Sequence, residues 1–225
     1  MNGREVPKFS ELIYISDVRV SCAAFADISD GSRKALTINK NRWEEKGERI
    51  LTPVGGAIEL TVAGLEELQG LLDINQSSFE NGKDLRLIMH GKYANKLREW
   101  FLGRRNRELD PIRELREELI EETGLLSEAD FSGLQFGRPG YQTELAVTDR
   151  AGQEGKLTLR LIEVYPATFN IDALSKLLEA AGKSDSMIRF VTEEEISSGF
   201  SIEKIRIGSI AKALSQPARE ISRFD

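Results

Sequence analysis

The stretch from Trp100 to Leu126 constrains this chain more than any other, because it holds the start, both faces and the end of one short helix. Asp110 followed by Pro111 predicts the start, since an Asx side chain caps the first N–H groups and proline suits the first helical position. Gly124 predicts the end, because glycine adopts the left-handed conformation beyond a helix at little cost.

The two faces of this helix differ in chemistry. At about 100° per residue, four glutamates fall within an arc of about 100°: Glu114, Glu118, Glu121 and Glu122. The adjacent stripe is apolar and is expected to pack on a core; it consists of Ile112, Leu115 and Leu119. Like charges at this spacing repel, and Mg²⁺ or Mn²⁺ held by the carboxylates would relieve the repulsion. The alternative is a solvated acidic face with Arg113 and Arg116 nearby.

Composition excludes several classes of protein. The 225 residues are 40% hydrophobic and 30% charged, enough for one good core with insertions. The net charge of -6 argues against binding long nucleic acid. No apolar run reaches membrane-spanning length. The single Cys22 reads as a core residue, and one cysteine allows no internal disulfide, which fits a cytoplasmic protein. The single His90 supports neither a catalytic triad nor a zinc site.

The elements before this helix read as strands and then a mixed insert. One or two strands are expected over 11–27, a turn over 29–32, and a second strand over 34–41. The segment 49–59 contains Gly55 and Gly56, which let the backbone approach a phosphate or a helix; by itself it reads equally as a strand-end turn.

The insert, about 60–106, contains two predicted helices and one strand. Its end is the one basic patch in an acidic chain, made of Arg98, Arg104, Arg105 and Arg107. In one interpretation these arginines bind phosphate groups of a ligand. In the other they balance the negative end of the helix dipole and the charges of nearby glutamates.

The elements after the helix are two strands, a helix, a strand and a terminal helix. The strands are expected over 140–150 and 156–169, joined by a loop from Asp149 to Gly155. A helix ends at Gly182, and Thr192 with Glu195 forms a capping box after the next strand. The segment 205–216 is expected to be the terminal helix. No repeat or linker composition is present, so one domain, 1–225, is the economical interpretation.

The run from Glu118 to Leu125 resembles the end of the Nudix box, G-x5-E-x7-R-E-U-x-E-E-x-G-U. In that register the box glutamates are Glu118, Glu121 and Glu122, the closing glycine is Gly124 and the opening glycine is Gly103. Two positions depart from it, because Glu117 stands where the arginine belongs and Leu109 where the first glutamate belongs. Glu108 and Asp110 flank Leu109, and Arg116 precedes Glu117, so a one-residue shift could restore both functions.

The resemblance implies the Nudix α/β/α sandwich with a mixed sheet, here with a long insertion between the Gly-Gly strand end and the helix. It covers roughly 18–216. The insert, the TPVGG segment and the form of the box also resemble the SMODS-associated Nudix group, found beside cyclic-nucleotide synthases in bacterial antiphage systems of the CBASS type. In some Nudix hydrolases a late glutamate joins the metal site. The resemblance implies that Glu193, Glu194 or Glu195 could have this role here, and the sequence does not choose among them. The sequence does not fix the oligomeric state, although many Nudix proteins dimerise and a homodimer is the assembly that the resemblance suggests.

Two functions of different classes follow from the resemblance. The first is Mg²⁺-dependent hydrolysis of a nucleoside-diphosphate-linked compound. In it Glu114, Glu118, Glu121 and Glu122 hold the metal, Glu118 is the candidate base, and Gly55, Gly56, Arg104, Arg105 and Arg107 contact the ligand. The second is a receptor that binds a cyclic di- or oligonucleotide without cleaving it, favoured by the departures at Leu109 and Glu117. A module that only binds other proteins is a third interpretation, against which the four-glutamate face argues.

Overall fold

The computed structural model describes residues 7–148 and 152–215. Within them the strands are β1 (Val18–Ile28), β2 (Lys34–Ile38), β3 (Ile50–Ala57), β4 (Arg86–Met89), β5 (Gln135–Phe136), β6 (Gly140–Val147), β7 (Leu157–Thr168), β8 (Ile188–Val191) and β9 (Arg206–Ile207).

Eight α-helices lie in the same described part of the chain, together with short 3₁₀ turns. They are α1 (Lys40–Lys46), α2 (Val62–Leu72), α3 (Ala94–Leu102), α4 (Ile112–Arg116), α5 (Glu128–Phe131), α6 (Ile171–Ala181), α7 (Glu193–Ser198) and α8 (Lys212–Ser215). A π-helical segment, Glu117–Glu122, continues α4. In the described residues no helix combines the length and the apolar character that crossing a membrane requires.

The strands form a mixed sheet. Their hydrogen-bonded order is β5-β7-β1-β3-β2-β8, with β4 beside β1, β6 beside β7 and β9 beside β3. The β2–β3 and β2–β8 pairs are antiparallel, whereas β9 runs parallel to β3. The mixed α/β class predicted from the sequence is therefore confirmed, as is the placement of α2, β4 and α3 between β3 and α4.

Contacts divide the chain into two compact units. The first consists of Met1–Ala24, Ala57–Leu109 and Gln142–Ile162, and the second of Phe25–Gly56, Asp110–Tyr141 and Glu163–Asp225. The prediction of a single domain remains a prediction.

The first unit contains the insert. The antiparallel β1–β4 pair places Val18 opposite Met89 and Ser21 opposite Arg86. Helices α2 and α3 pack together and bury a shared apolar face made of Leu68, Leu72, Leu97, Trp100 and Phe101. Cys22 is buried as expected. His90 is structural, because its Nδ1 accepts a hydrogen bond from the Lys92 N–H (3.1 Å) and caps a 3₁₀ turn.

The second unit has a core on one face of its strands, because the buried residues alternate along each strand, as Ala26 and Ile28 do in β1. Leu115 and Leu119 are fully buried in a cluster with residues of β1, β2, β3, β7 and β8, as the apolar stripe predicted. The prediction is wrong for Ile112, the first residue of α4, which is 38% exposed. Helix α6 contributes to the same cluster through residues such as Leu177. The edge-to-face pair of Phe131 and Phe169, with ring centroids 5.5 Å apart, lies between α5 and the end of β7.

Three predictions about elements need correction or fall partly outside the description. Residues Phe9–Tyr14 form a 3₁₀ helix, so no strand begins at Glu11; Leu12 is buried within that turn. The terminal helix predicted over 205–216 is wrong for most of its length: Arg206–Ile207 pairs with β3, and α8 covers only Lys212–Ser215. Part of the predicted 149–155 loop and Gln216 lie outside the described residues.

Candidate functional site

The helix that carries the glutamates begins where the sequence predicts, within one residue. The Asp110 Oδ1 atom accepts a hydrogen bond from the Ile112 N–H (3.0 Å), so the predicted Asx cap is present. The Leu115 N–H donates to the Pro111 carbonyl (3.0 Å) in the first turn. At the other end Gly124 is left-handed (φ 61°), as its type predicted.

The second half of this helix is π-helical rather than α-helical. Residues Glu117–Glu122 form a π-helical segment, a type of turn whose hydrogen bonds join residues five apart and which is wider than an α-helical turn. The spacing of 100° per residue assumed for the glutamates therefore does not hold across this segment. Single π turns inside helices are frequent at functional sites.

Glu118 is the most enclosed of the four glutamates. One carboxylate oxygen accepts from the Thr37 hydroxyl of β2 (2.9 Å), and the other from the Gly55 N–H of β3 (3.3 Å). Gly55 has φ 125°, a conformation that L side chains rarely adopt, so this N–H depends on glycine. The strand ends and the helix thus meet at one carboxyl group.

The environment of Glu118 changes its titration. Burial raises its pKa to about 8, although the hydrogen bonds from Thr37 and Gly55 act in the opposite direction. The nearby charges of Glu114 and Glu122 raise the pKa further. At neutral pH and without a cation, Glu118 therefore holds its proton.

Glu114 lies against the glycine pair. A Cβ atom at Gly56 would collide with the Glu114 carboxylate, so glycine here makes room for that side chain. Arg113 binds the same carboxylate (Nη2 to Oε1, 2.9 Å) and also binds Glu117 (Nη1 to Oε1, 3.0 Å). The arginine that organises this helix is therefore Arg113, four residues before the position of the family's arginine.

Glu121 and Glu122 lie on the exposed side of the π-helical segment. Lys40, at the start of α1, approaches Glu122 with its Nζ 3.5 Å from Oε1. This is a solvent-accessible pair, so its contribution to stability is small.

The four glutamates are not arranged as a complete metal-binding site. Among residues 7–148 and 152–215, no group of three or more His, Cys, Asp or Glu side chains is placed to hold a metal ion. Arg113 holds Glu114 and Lys40 holds Glu122, while the charges of both glutamates still act on Glu118. The donor set nevertheless suits Mg²⁺, because this ion binds proteins through one or two carboxylates and completes its shell with water and substrate phosphates.

The charged residues beside Leu109 and Glu117, the two positions that depart from the Nudix box, have local partners. Arg116 pairs with Glu128 of α5 (3.1 Å), so it does not take the place of the missing box arginine. Glu108 accepts from the Glu59 N–H (2.8 Å), and Asp110 caps the helix. These contacts do not reproduce the box arginine or the first box glutamate, and the one-residue shift stays a prediction. Gly103, matched to the opening box glycine, ends α3.

The predicted basic patch belongs to the first unit, and its arginines differ in environment. Arg107 is 4% exposed, donates to the carbonyls of Phe101 (2.8 Å) and Glu108 (2.7 Å), and lies over the Phe101 ring. Arg104 donates to the Leu109 carbonyl (2.5 Å). The hydrogen bond from Asn106 (2.9 Å) lowers the pKa of Glu67, and the charge of the exposed Arg105 lowers it further. Arg107 thus has a structural role, and ligand contact by Arg104 and Arg105 stays a prediction.

The late glutamates also separate by role. Glu195 forms the predicted capping box with Thr192, and its other oxygen accepts from the Ile202 N–H (2.5 Å). This carboxylate is therefore occupied by the backbone. Glu193 and Glu194 are exposed in the first turn of α7.

Sequence reasoning missed Thr37 and Lys40. Thr37 stands in β2 between the buried Leu36 and Ile38, and a hydroxyl within such an apolar run was the one available signal. Lys40 gave no signal, because its approach to Glu122 spans 82 residues of sequence.

Comparison with known proteins gives a family and no individual relative. The family model described as the SMODS-associated NUDIX domain matches residues 17–215. No curated protein matches the chain. No solved structure matches it either.

Proposed function

Because the chain belongs to the SMODS-associated NUDIX family, we propose that it binds a nucleoside-diphosphate-linked compound with Mg²⁺ and hydrolyses its pyrophosphate. The observation that carries this proposal is Glu118, a protonated carboxyl held between Thr37 and Gly55 and crowded by Glu114 and Glu122. A divalent cation would remove the cost of ionising it.

Each residue has a distinct part in this proposal. Glu114, Glu118, Glu121 and Glu122 would hold Mg²⁺, which when bound lowers the pKa of its water and neutralises phosphate charge. Thr37 and the Gly55 N–H orient Glu118, the candidate base. Gly56, which has no Cβ, leaves the space beside β3 that the Glu114 carboxylate occupies. Lys40 supplies positive charge beside Glu122 for an incoming phosphate.

A second function, intact binding of a cyclic di- or oligonucleotide as a signal in antiphage defence, is supported by a different observation. Arg113 and Lys40 already neutralise two of the four glutamates, and the box arginine and first box glutamate are replaced by Glu117 and Leu109. Displacement of a catalytic group by about 1 Å lowers the rate of the catalysed reaction on the order of 10²-fold. Such a site would keep binding and lose turnover.

Carboxamide variants test the hydrolase proposal against the receptor. Glu121→Gln and Glu122→Gln are expected to reduce Mg²⁺-dependent cleavage of a nucleotide panel by at least 10²-fold while leaving part of the nucleotide binding. The matched control is Glu179→Gln, a glutamate of α6 in the same unit whose side chain is 77% exposed. Chromatography of products measures cleavage, and unchanged cleavage in both variants would contradict the proposal.

A further inference from the structure

A large aromatic side chain stands exposed on α1, the short helix that follows β2. Trp43 is 43% exposed, and the Arg49 guanidinium carbon lies 5.6 Å from the centroid of its ring. The other tryptophan of the chain, Trp100, is 6% exposed. The Trp43 ring is therefore open to a ligand, whereas Trp100 belongs to a core.

The connection from β2 into α1 runs beside the glutamate helix. Thr37 hydrogen-bonds to Glu118, and Lys40, three residues later, approaches Glu122. Trp43 follows Lys40 by another three residues on the same helix, a spacing that places both side chains on one face. The order along this strip is thus a hydroxyl, an ammonium and an aromatic ring, beginning at the buried glutamate.

The start of β3 fixes the other side of the ring. The Asn39 N–H donates to the Ile50 carbonyl (2.8 Å), which ties the beginning of α1 to the beginning of β3. Arg49, the residue before Ile50, is thereby held where its guanidinium faces Trp43. A cation over an aromatic face is attracted by the ring, so Arg49 favours the observed orientation of Trp43.

We infer that Trp43 is the stacking surface for the base of the bound nucleotide, with its phosphates at Lys40 and the glutamates; this inference rests on the proposed function. Every nucleobase presents a π face, and stacking on an exposed aromatic ring tolerates any base. Arg49 adds a planar cation beside the ring. Affinity for the base and affinity for the phosphates would then reside in different residues.

Two ligands separate these contributions: ADP, which has a base, and inorganic pyrophosphate, which has none. Trp43→Ala is expected to weaken Mg²⁺-dependent binding of ADP at least tenfold and that of pyrophosphate less than twofold. Trp43→Phe keeps an aromatic face for stacking, so its affinity for ADP should fall threefold or less. Phe200→Ala, another exposed aromatic of the same unit, is the matched control and should change neither ligand.

Fluorescence provides a second readout that does not depend on turnover. ADP stacked on Trp43 should quench the emission of the wild type, whereas Trp43→Ala, which retains only Trp100, should show no ADP-dependent quenching. An equal loss of affinity for ADP and for pyrophosphate in a folded Trp43→Ala protein would overturn the inference, because the ring would then act only by supporting Lys40. Unchanged ADP binding in that variant would also overturn it. Failure of the wild type to bind either ligand with Mg²⁺ would instead remove the proposed function, and the inference with it.

Discussion

Glu118 shows how a single carboxyl group can be suited to binding and unsuited to the stability of the metal-free protein. Its hydrogen bonds from Thr37 and Gly55 hold it in place, but burial and two neighbouring glutamates raise its pKa to about 8. The ionised form is therefore costly until a cation arrives. Functional carboxyls are commonly perturbed in this way.

The first prediction concerns the stability of the metal-free protein. Because the folded pKa of Glu118 (about 8) exceeds its ordinary value of 4.5, its contribution to stability is complete below pH 4.5 and is lost as the pH rises through about 8. Glu118→Gln cannot ionise, so its melting temperature relative to that of the wild type should increase from pH 6 to pH 9. Thermal scans in a chelator measure this, with Glu179→Gln as control; parallel profiles would contradict it.

The second prediction concerns Mg²⁺ itself. If the ion requires ionised Glu118, its affinity should rise roughly tenfold per pH unit below pH 8 and level off above it, because binding then releases one proton. Calorimetric titration with Mg²⁺ alone, in buffers of different ionisation enthalpy, measures both affinity and proton release. Affinity that stays constant from pH 6 to pH 9 would show that Glu118 takes no part.

At the scale of residues, sequence predicts local contacts and misses distant ones. The Asp110 cap, the left-handed Gly124 and the capping box of Thr192 with Glu195 all formed, since each depends on residues within a few positions. The contact from Thr37 to Glu118 joins residues 81 positions apart and has no local signature. The structural role of Arg107 involves near neighbours, Phe101 and Glu108, but the burial of its guanidinium is decided by packing, which the local sequence does not specify.

At the scale of elements, the periodicity of apolar residues and the conformational propensities of the residues identified most helices and strands but not their detailed geometry. The π-helical segment 117–122 carries the same apolar pattern as an α-helix, so the sequence could not distinguish the two. Strand β9 is only two residues long and is defined by its pairing with β3, which explains why a helix was expected there. The short α8 follows after a 3₁₀ turn.

The third prediction compares two glycines of α2. A Cβ atom at Gly70 meets nothing, so Gly70→Ala should stabilise the protein by about 0.5–1 kcal/mol by reducing the entropy lost on folding. A Cβ atom at Gly64 would collide with the Asn106 carbonyl oxygen, so Gly64→Ala should destabilise by about 1–3 kcal/mol. Urea unfolding of both variants measures the difference, and a shift of the same sign in both would refute the packing of α2 described above.

At the scale of the whole molecule, the chain keeps the strands and the glutamate helix of a Nudix protein and separates them by a long insert. The sequence predicted that order because motif and insert differ in pattern, and the family match over 17–215 agrees with it. Ligand identity was beyond reach, since the side chains proposed above to contact the ligand, Lys40 and Trp43, acquire their positions only in the fold. The second unit by itself contains the glutamates, the glycine pair and the α1 strip.

The central claim is that this unit binds a diphosphate-linked nucleotide through Mg²⁺ and cleaves it. The most direct measurement is calorimetric titration of the wild type with a nucleotide panel, with and without Mg²⁺, followed by chromatography of the recovered ligand. The panel contains cyclic di- and trinucleotides, dinucleoside polyphosphates, ADP-ribose and nucleoside triphosphates. We expect Mg²⁺-dependent binding of a linear diphosphate-linked compound and its recovery as two cleaved fragments. Tight binding of a cyclic nucleotide recovered intact, with no cleavage of any linear compound, would contradict the claim and establish a receptor.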